Sequence, residues 1–365
     1  MKSDFRDDMR PSFRQYYEKN IRVVQEALQH VLPDSQTVEF PNRPNIADAD
    51  LILNSKIAND ALYRPMKQYL KTKGKLFRPI LCSMILEAYN EDPMQFKPIL
   101  AISEMIHCSS LVLDDIVDNS ILRRGEPCSH HVHGVSLAGN GSLASTFYAF
   151  SLIDDVTLPL SDYIRLKLYE MVYWEHYGCS IGTALDLKWS NLKLTAIDHD
   201  QYIQHIVYRS CAYTYRVALR AGCIAAGAAP IDQEALFNYG TLTGIAFQFI
   251  DDILNLKPGT SSWGKTIGED ITAGKRSPLV LHTIKAANRR DKKRLLKILD
   301  SNCHDERLLQ EAIAIMDSYN AFEEIRSQAT RYIASACDEV DKLSISADYK
   351  SLLRDFAFYV VERRV

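Results

Sequence analysis

The feature that most constrains this chain is a matched pair of segments, LVLDDIVDN (residues 111–119) and FQFIDDILNL (residues 247–256). Each sets two adjacent aspartates inside an apolar run of helical period. At 3.6 residues per turn Asp114 and Asp118 share one helix face, and so do Asp251 and Asn255. Two carboxylates about 6 Å apart, at an effective dielectric of about 20, repel by roughly 3 kcal/mol. Such a cluster therefore belongs on a solvated face or beside a bound cation. Toward the amino end, Ser103, His107, Ser110, Asp114 and Asp118 recur at spacings of four, three, four and four, with Ile102, Ile106, Leu113 and Val117 on another side. The second segment repeats the arrangement with Gly240, Gly244, Gln248, Asp251 or Asp252, and Asn255, against Ile245, Phe249 and Ile253. Two small-and-polar stripes facing each other predict a cavity with acid at its mouth.

The rest of the chain suits long helices. Gly and Pro together number 28 of 365 residues, below the roughly 12% of average usage. Helical patterns succeed one another, broken at YNEDP, RRGEP, TLPLSD, AAPID and LKPGTSSWG. With 47% apolar and 24% charged residues and a net charge of -3, this predicts an all-α protein. It would be one large helical bundle, too large for a simple four-helix arrangement. Residues 1–45 read as an amino-terminal extension, with a helix around YYEKNIRVVQEALQHVL and a proline-containing loop, TVEFPNRPN; residues 46–365 form the main domain. The near-neutral charge, with no basic stripe and interleaved aromatics, argues against a nucleic-acid surface. No run approaches the ~18 apolar residues of a membrane span, and no secretory segment precedes the fold. Eight scattered cysteines without a CxxC pair read as reduced core residues of a cytoplasmic protein.

Oxygen-only ligands from aspartate pairs select hard cations, Mg²⁺ above all. The His-rich SHHVHG (His130, His131, His133) fits no zinc spacing and reads as local packing and capping. Cations near the acids point to phosphate: Lys75 and Arg78 of GKLFRP, read as three apart on one helix face; Arg123 and Arg124 of RRG; Lys265 and Lys275 beside Asp270. Neither GxxxxGK[ST] nor GxGxxG is present, so the phosphate belongs to a substrate other than a nucleotide.

In this order the motifs resemble the trans-isoprenyl diphosphate synthases, most closely those that make geranylgeranyl diphosphate. They are GKxxR (Gly74 to Arg78), DDxxD with RRG, GxxLD (Gly182 to Asp186), FQxxDDxxN (Phe247 to Asn255), and GKxxGED with GK (Gly264 to Lys275), and the likeness covers about residues 50–340. It implies an all-α bundle around a deep apolar cavity, usually a homodimer, that condenses isopentenyl diphosphate onto an allylic diphosphate. Carried over, Asp114, Asp118 and Asp251 would coordinate three Mg²⁺ ions, with Asp115 and Asp252 assisting. Arg123, Gln248, Lys265 and Lys275 would contact the allylic diphosphate, and Lys75, Arg78, His107 and Arg124 the isopentenyl diphosphate.

Two positions depart from the family pattern. Thr183 stands where Gln is usual, and Arg209 with Ser210 where Lys-Thr is usual; charge and hydroxyl persist in the second pair, so allylic diphosphate binding can survive. Product length is expected to follow the cavity floor, where Ser109 and Ser110 are small and Phe147 is the next obstruction, giving a geranylgeranyl-sized or somewhat longer product. Two other readings stand beside this one: a class I terpene cyclase, which needs no second diphosphate site, and a catalytically weak partner subunit. VERRV leaves open whether Arg363 and Arg364 fold over the diphosphates or fray.

Overall fold

The computed structural model describes residues 5–31, 60–61, 64–71, 74–193, 196–258, 267–301 and 305–364. The predicted loop TVEFPNRPN, Lys265 and most of LKPGTSSWG lie outside them. After a 3₁₀ turn at Phe5–Asp8 come α1 (Pro11–Val31), α2 (Arg64–Lys71), α3 (Phe77–Ala88) and α4 (Lys97–Val117). A two-stranded hairpin follows, β1 (Leu122–Arg123) and β2 (Glu126–Pro127), and then α5 (Ser129–His133), α6 (Val135–Ser151), α7 (Asp162–Asn191) and α8 (His199–Ile206). A π-helical segment, Val207–Arg216, leads into α9 (Val217–Ala225) and α10 (Pro230–Leu256). The chain closes with α11 (Glu269–Thr272), α12 (Pro278–Ala286), α13 (Arg289–Asp300), α14 (Glu306–Ser318), α15 (Ala321–Asp341) and α16 (Ala347–Glu362).

The helix starts are written locally. Ser161 accepts from the Ile164 amide at the head of α7, Asp198 and Gln201 form a reciprocal capping box on α8, and Pro230 opens α10 where its missing N–H costs nothing. The core is continuous: Ile99, Leu100, Ile102, Met105 and Ile106 of α4 and Leu236, Tyr239, Phe249 and Ile250 of α10 are all under 2% exposed. Each such side chain contributes about 1.5 to 3 kcal/mol by leaving water. The predicted amino-terminal helix is α1, longer than the segment that signalled it, and it packs on α4 and α16. There Phe13 meets Phe356 at 5.3 Å, and Phe77 meets Tyr359 at 5.1 Å.

The stripes do something other than predicted. Gly240 and Gly244 do not line a cavity; Cβ atoms there would stand 3.1 Å from the Arg216 Cα and 3.0 Å from the Cys211 Cα. From the opposite side, a Cβ on Gly182 of α7 would meet the Arg209 amide nitrogen and, at 2.7 Å, its Cα. The π segment is thus held between α7 and α10 by backbone-to-backbone approach that only glycine allows. Ser103 is 3% exposed, and the fully buried Ser109 donates to the Ser142 carbonyl and bonds the Thr146 hydroxyl 2.7 Å away. Ser109 is therefore committed to the contact between α4 and α6.

Candidate active site

Both acidic motifs fall at helix carboxyl ends: Asp114 and Asp115 in the last turn of α4 with Asp118 as its cap, and Asp251 and Asp252 in the last turns of α10. There the negative end of the helix dipole adds to the carboxylates, by about 0.3 to 1 kcal/mol each. Cations answer that charge from distant parts of the chain. Arg209 donates from Nη2 to Asp114 Oδ1 at 2.7 Å and lies 3.5 Å from Asp186, the acid of GxxLD. Lys275 donates to Asp118 Oδ2 at 2.7 Å and reaches Asp270 at 3.2 Å. Asp270 and Lys275 also bear on Asp252, so the two motifs share one mouth.

Burial is the larger influence on these groups. It raises Asp118 above the ordinary carboxylate range, with the neighbouring Asp114 adding to the rise and Lys275 opposing it. Asp252, 6% exposed, is pushed well up by burial and by Asp270, although Gln248 Nε2 donates to it at 2.8 Å and the Tyr202 hydroxyl at 3.3 Å. Burial opposes charge on Arg209 and Lys275 too, yet Asp114 and Asp186 hold the first, and Asp270 and Asp118 the second, more firmly protonated than usual. Asn255 fixes the loop that carries Asp270 and Lys275: its carbonyl accepts from the Gly268 amide at 3.0 Å.

Asp115 has a different position from its neighbours. It is fully buried and accepts from Arg123 Nε and Nη2 and from the Tyr69 hydroxyl. Read as an assistant to the metal, Asp115 is instead the counter-charge of Arg123; both lie inside the protein, and Arg123 does not face the mouth with a free fork. The hairpin that delivers Arg123 turns on Arg124 and Gly125, with φ of 56° and 82°, the twist a two-residue hairpin requires. Arg124 donates to the Tyr69 carbonyl at 2.9 Å.

The second basic group is brought together, though not as one helix face. Because α3 begins at Phe77, after Leu76 at φ 49°, Lys75 lies ahead of the helix and only Arg78 within it. Lys75 donates to the Tyr359 hydroxyl at 3.4 Å, and burial, with the Arg363 charge, pulls its ammonium down to about 7. Arg78 donates from Nε to the Tyr213 carbonyl, and burial lowers it while Glu104 raises it. Glu104, 1% exposed, stands 3.6 Å from Arg78 and 4.0 Å from Arg124. It escaped the sequence reading, although a lone acid in the apolar run AISEMIHC was a visible signal. Tyr69 escaped it as well. His107 lies half-buried one turn from Glu104 on α4. Ser210 is half-buried on the π segment. The Thr183 hydroxyl donates to the Cys179 carbonyl of its own helix. Arg363 settles the open question of the tail: it is 4% exposed, and donates to the Phe247 carbonyl at 3.2 Å and Asp251 Oδ1 at 3.4 Å.

Of the floor residues, Ser109 is fully buried and Ser110 half-buried; the Ser110 hydroxyl donates to the His107 carbonyl. Phe147, read as the next obstruction, is 63% exposed beside Phe150 and closes nothing within the single chain. Among the described residues no three His, Cys, Asp or Glu side chains converge at metal-holding distance; Asp114, Asp118 and Asp251 are each met by a cation, Arg209, Lys275 and Arg363. The donor set still suits a hard divalent cation: it is all oxygen and sits on two negative helix ends, and the burial that raises Asp118 and Asp252 is a cost that a bound cation would offset. His131 bonds the Ser120 carbonyl at 3.2 Å, a local capping contact.

The geometry agrees with what the chain is similar to. A model of the polyprenyl synthetase family matches residues 59–316. A short chain isoprenyl diphosphate synthase of Methanothermobacter thermautotrophicus is 32% identical over 312 residues, 85% of this chain and 92% of that protein. A geranylgeranyl diphosphate synthase of Sulfolobus acidocaldarius is 27% identical over 86% of this chain and 94% of its own length. Among solved structures, a geranylgeranyl pyrophosphate synthetase from Pyrococcus horikoshii superposes with a TM-score of 0.79 at 25% identity, covering 96% of this chain and 98% of that one.

Proposed function

The chain belongs to the polyprenyl synthetase family and is a trans-prenyltransferase; on that premise we propose that it joins isopentenyl diphosphate to an allylic diphosphate (dimethylallyl, geranyl or farnesyl) where the ends of α4 and α10 meet. The product is about geranylgeranyl-sized or longer. The observation that carries the reading is Lys275 reaching both Asp118 and Asp270, with Arg209 on Asp114. Acids and bases from three separate stretches of chain thereby crowd one mouth.

Asp114, Asp118 and Asp251 are the residues that would hold Mg²⁺, with a complement of three ions when diphosphate is present. When bound, Mg²⁺ neutralises the charge that develops on the departing diphosphate. Arg209 and Lys275 turn from carboxylate to phosphate oxygens as the allylic diphosphate enters, with Gln248 and Ser210 beside them, and Lys265, outside the described residues, is assigned to the same diphosphate by its motif. Such donors, fixed before the reaction, stabilise the leaving group as it gathers charge. The C1–O bond breaks with its electron pair going to the diphosphate. The double bond of isopentenyl diphosphate then attacks C1, and its C2 proton passes to the released diphosphate. Lys75, Arg78, His107 and Arg124 hold the second substrate, and Glu104, close to both guanidiniums, offsets their mutual repulsion. Asp115 with Arg123, and Asp252 with Gln248, fix the shape of the site. Water is kept from the cation by the apolar walls of α4 and α10.

A homodimer is supported by the apolar stripe that one chain leaves open on α6 and α7, with Phe147, Leu166, Tyr173, Trp174 and Tyr177 each more than half exposed. We take residues 46–365 as the synthase domain, its α1 arm packed on the same core, and a cytoplasmic setting; no helix among the described residues is long and apolar enough to cross a membrane.

The test is incubation of the purified chain with Mg²⁺, labelled isopentenyl diphosphate and farnesyl diphosphate. Prenyl product is expected, with at least a hundredfold loss in Asp118→Ala and Asp251→Ala and on chelation of the metal. A chain that ionises the allylic substrate but never consumes isopentenyl diphosphate would sink the reading.

A further inference from the structure

The two ends of the described chain meet beside the site. Arg364 donates from Nε to Asp8 Oδ1 at 2.7 Å and from its backbone amide to Asp8 Oδ2 at 2.9 Å. Two residues further along the arm, Arg10 donates to Glu362 at 3.0 Å and lies 3.9 Å over the Phe358 ring. These contacts grip the last turn of α16 on both sides of Arg363. That residue points the other way: its guanidinium lies 3.9 Å over Phe247 and 3.4 Å from Asp251, and its buried Nε has no partner among the described residues. One turn earlier, Tyr359 takes the hydrogen bond of Lys75.

We infer that Asp8 is a positioning residue for prenyl transfer: by capturing Arg364 it fixes the neighbouring Arg363 between Phe247 and Asp251, beside Lys75, where the isopentenyl diphosphate is to bind. The inference rests on the proposed function for that last clause. The Arg364 side chain is 57% exposed while that of Asp8 is 5% exposed, so the pair is solvated on one side and shields the Asp8 carboxylate on the other. What the pair controls is the direction of the next side chain.

The test compares Asp8→Ala, Arg364→Gln and the double variant in the full chain. Each single change is expected to raise KM for isopentenyl diphosphate about fivefold, with kcat within twofold; the melting temperature should be nearly unmoved in Asp8→Ala, which strands only the exposed Arg364, and somewhat lower in Arg364→Gln, which leaves the Asp8 carboxylate without its partner. The double variant should be no worse than the worse single one, because both remove one interaction. Arg364→Lys should recover part of the loss. An unmoved KM, a parallel fall in kcat and stability, or additive losses would overturn the inference. Hydrogen exchange gives a reading independent of turnover: amides 359–364 should exchange faster in Asp8→Ala than in the parent. Unchanged protection overturns the clasp even in an active enzyme, whereas a parent chain that consumes no isopentenyl diphosphate overturns the proposed function and leaves the clasp to the exchange result.

Discussion

Gly182→Ala puts a single methyl where the fold has no room. Its Cβ would lie 2.7 Å from the Arg209 Cα and closer still to the Arg209 amide nitrogen, so the obstacle is backbone that cannot rotate aside. Relief to an ordinary contact needs α7 and the π segment to part by about 1 Å, which overpacking of this kind makes cost about 1 to 3 kcal/mol. At roughly 2.1 cal/mol/K per residue the unfolding entropy of a chain this long turns that into a fall of about 1 to 4 °C in melting temperature. The functional loss should be larger. Arg209 carries the 2.7 Å bond to Asp114, and a displacement of about 1 Å at a group that orients charge can lower kcat on the order of a hundredfold. Gly178→Ala is the internal control. One turn away on the same helix, its Cβ would meet only the Tyr208 ring at 3.3 Å, a side chain that can yield. Steady-state kinetics and thermal melts of both variants decide the matter. If Gly182→Ala keeps kcat within twofold of the parent, or if the two variants behave alike, the backbone contact does not position Arg209.

Asp115→Ala strands the guanidinium of Arg123 and the Tyr69 hydroxyl in the interior, and should destabilise the protein by about 3 to 5 kcal/mol in urea titrations; an unchanged midpoint would mean that Arg123 finds another partner. His205, held down to about 4 by burial, should make stability fall in acid. The unfolded chain, with an imidazole near 6.5, binds more protons than the folded one between those values, so about 3 kcal/mol is lost as pH drops from 6.5 to 4. His205→Phe should flatten that slope, and an equally steep slope would assign it elsewhere. Ser110→Phe adds an aromatic ring at the half-buried one of the predicted floor positions, and should shorten the product; an unaltered chain-length distribution by mass spectrometry would remove Ser110 from the floor.

What could be read in the sequence was whatever periodicity and charge pattern encode. Helix breaks at YNEDP and AAPID coincide with the end of α3 and the start of α10, and the two acidic runs each end their helix, linked through Lys275. Asp114 and Asp118 were legible as neighbours because they lie one turn apart. That Arg209 and Lys275 would answer them was not, since 95 and 157 residues intervene. The glycine stripe was read for the right spacing and the wrong purpose, because smallness along a helix serves a cavity and a close crossing equally well. Asp115 was grouped with its neighbours by adjacency, yet a helix turns each successive residue by about 100°, enough to send it inward to Arg123 while Asp114 stays at the mouth. Phe147 is legible as the next bulky side chain beyond the small Ser109 and Ser110, but bulk alone carries no information on which face of α6 it occupies.

The separation in sequence between each acid and its counter-charge also fixes an order of events at the ribosome. Asp115 meets Arg123 only eight residues on, so the hairpin can close as soon as it is made. Asp114 and Asp118 take their close ion pairs from Arg209 and Lys275, 95 and 157 positions further on. During synthesis they must stay hydrated until the π segment and then the loop after α10 have emerged, and distant pairings of this kind form late in folding. The first half of the chain should thus remain a loosely joined set of helices, and the catalytic mouth should be among the last parts to consolidate.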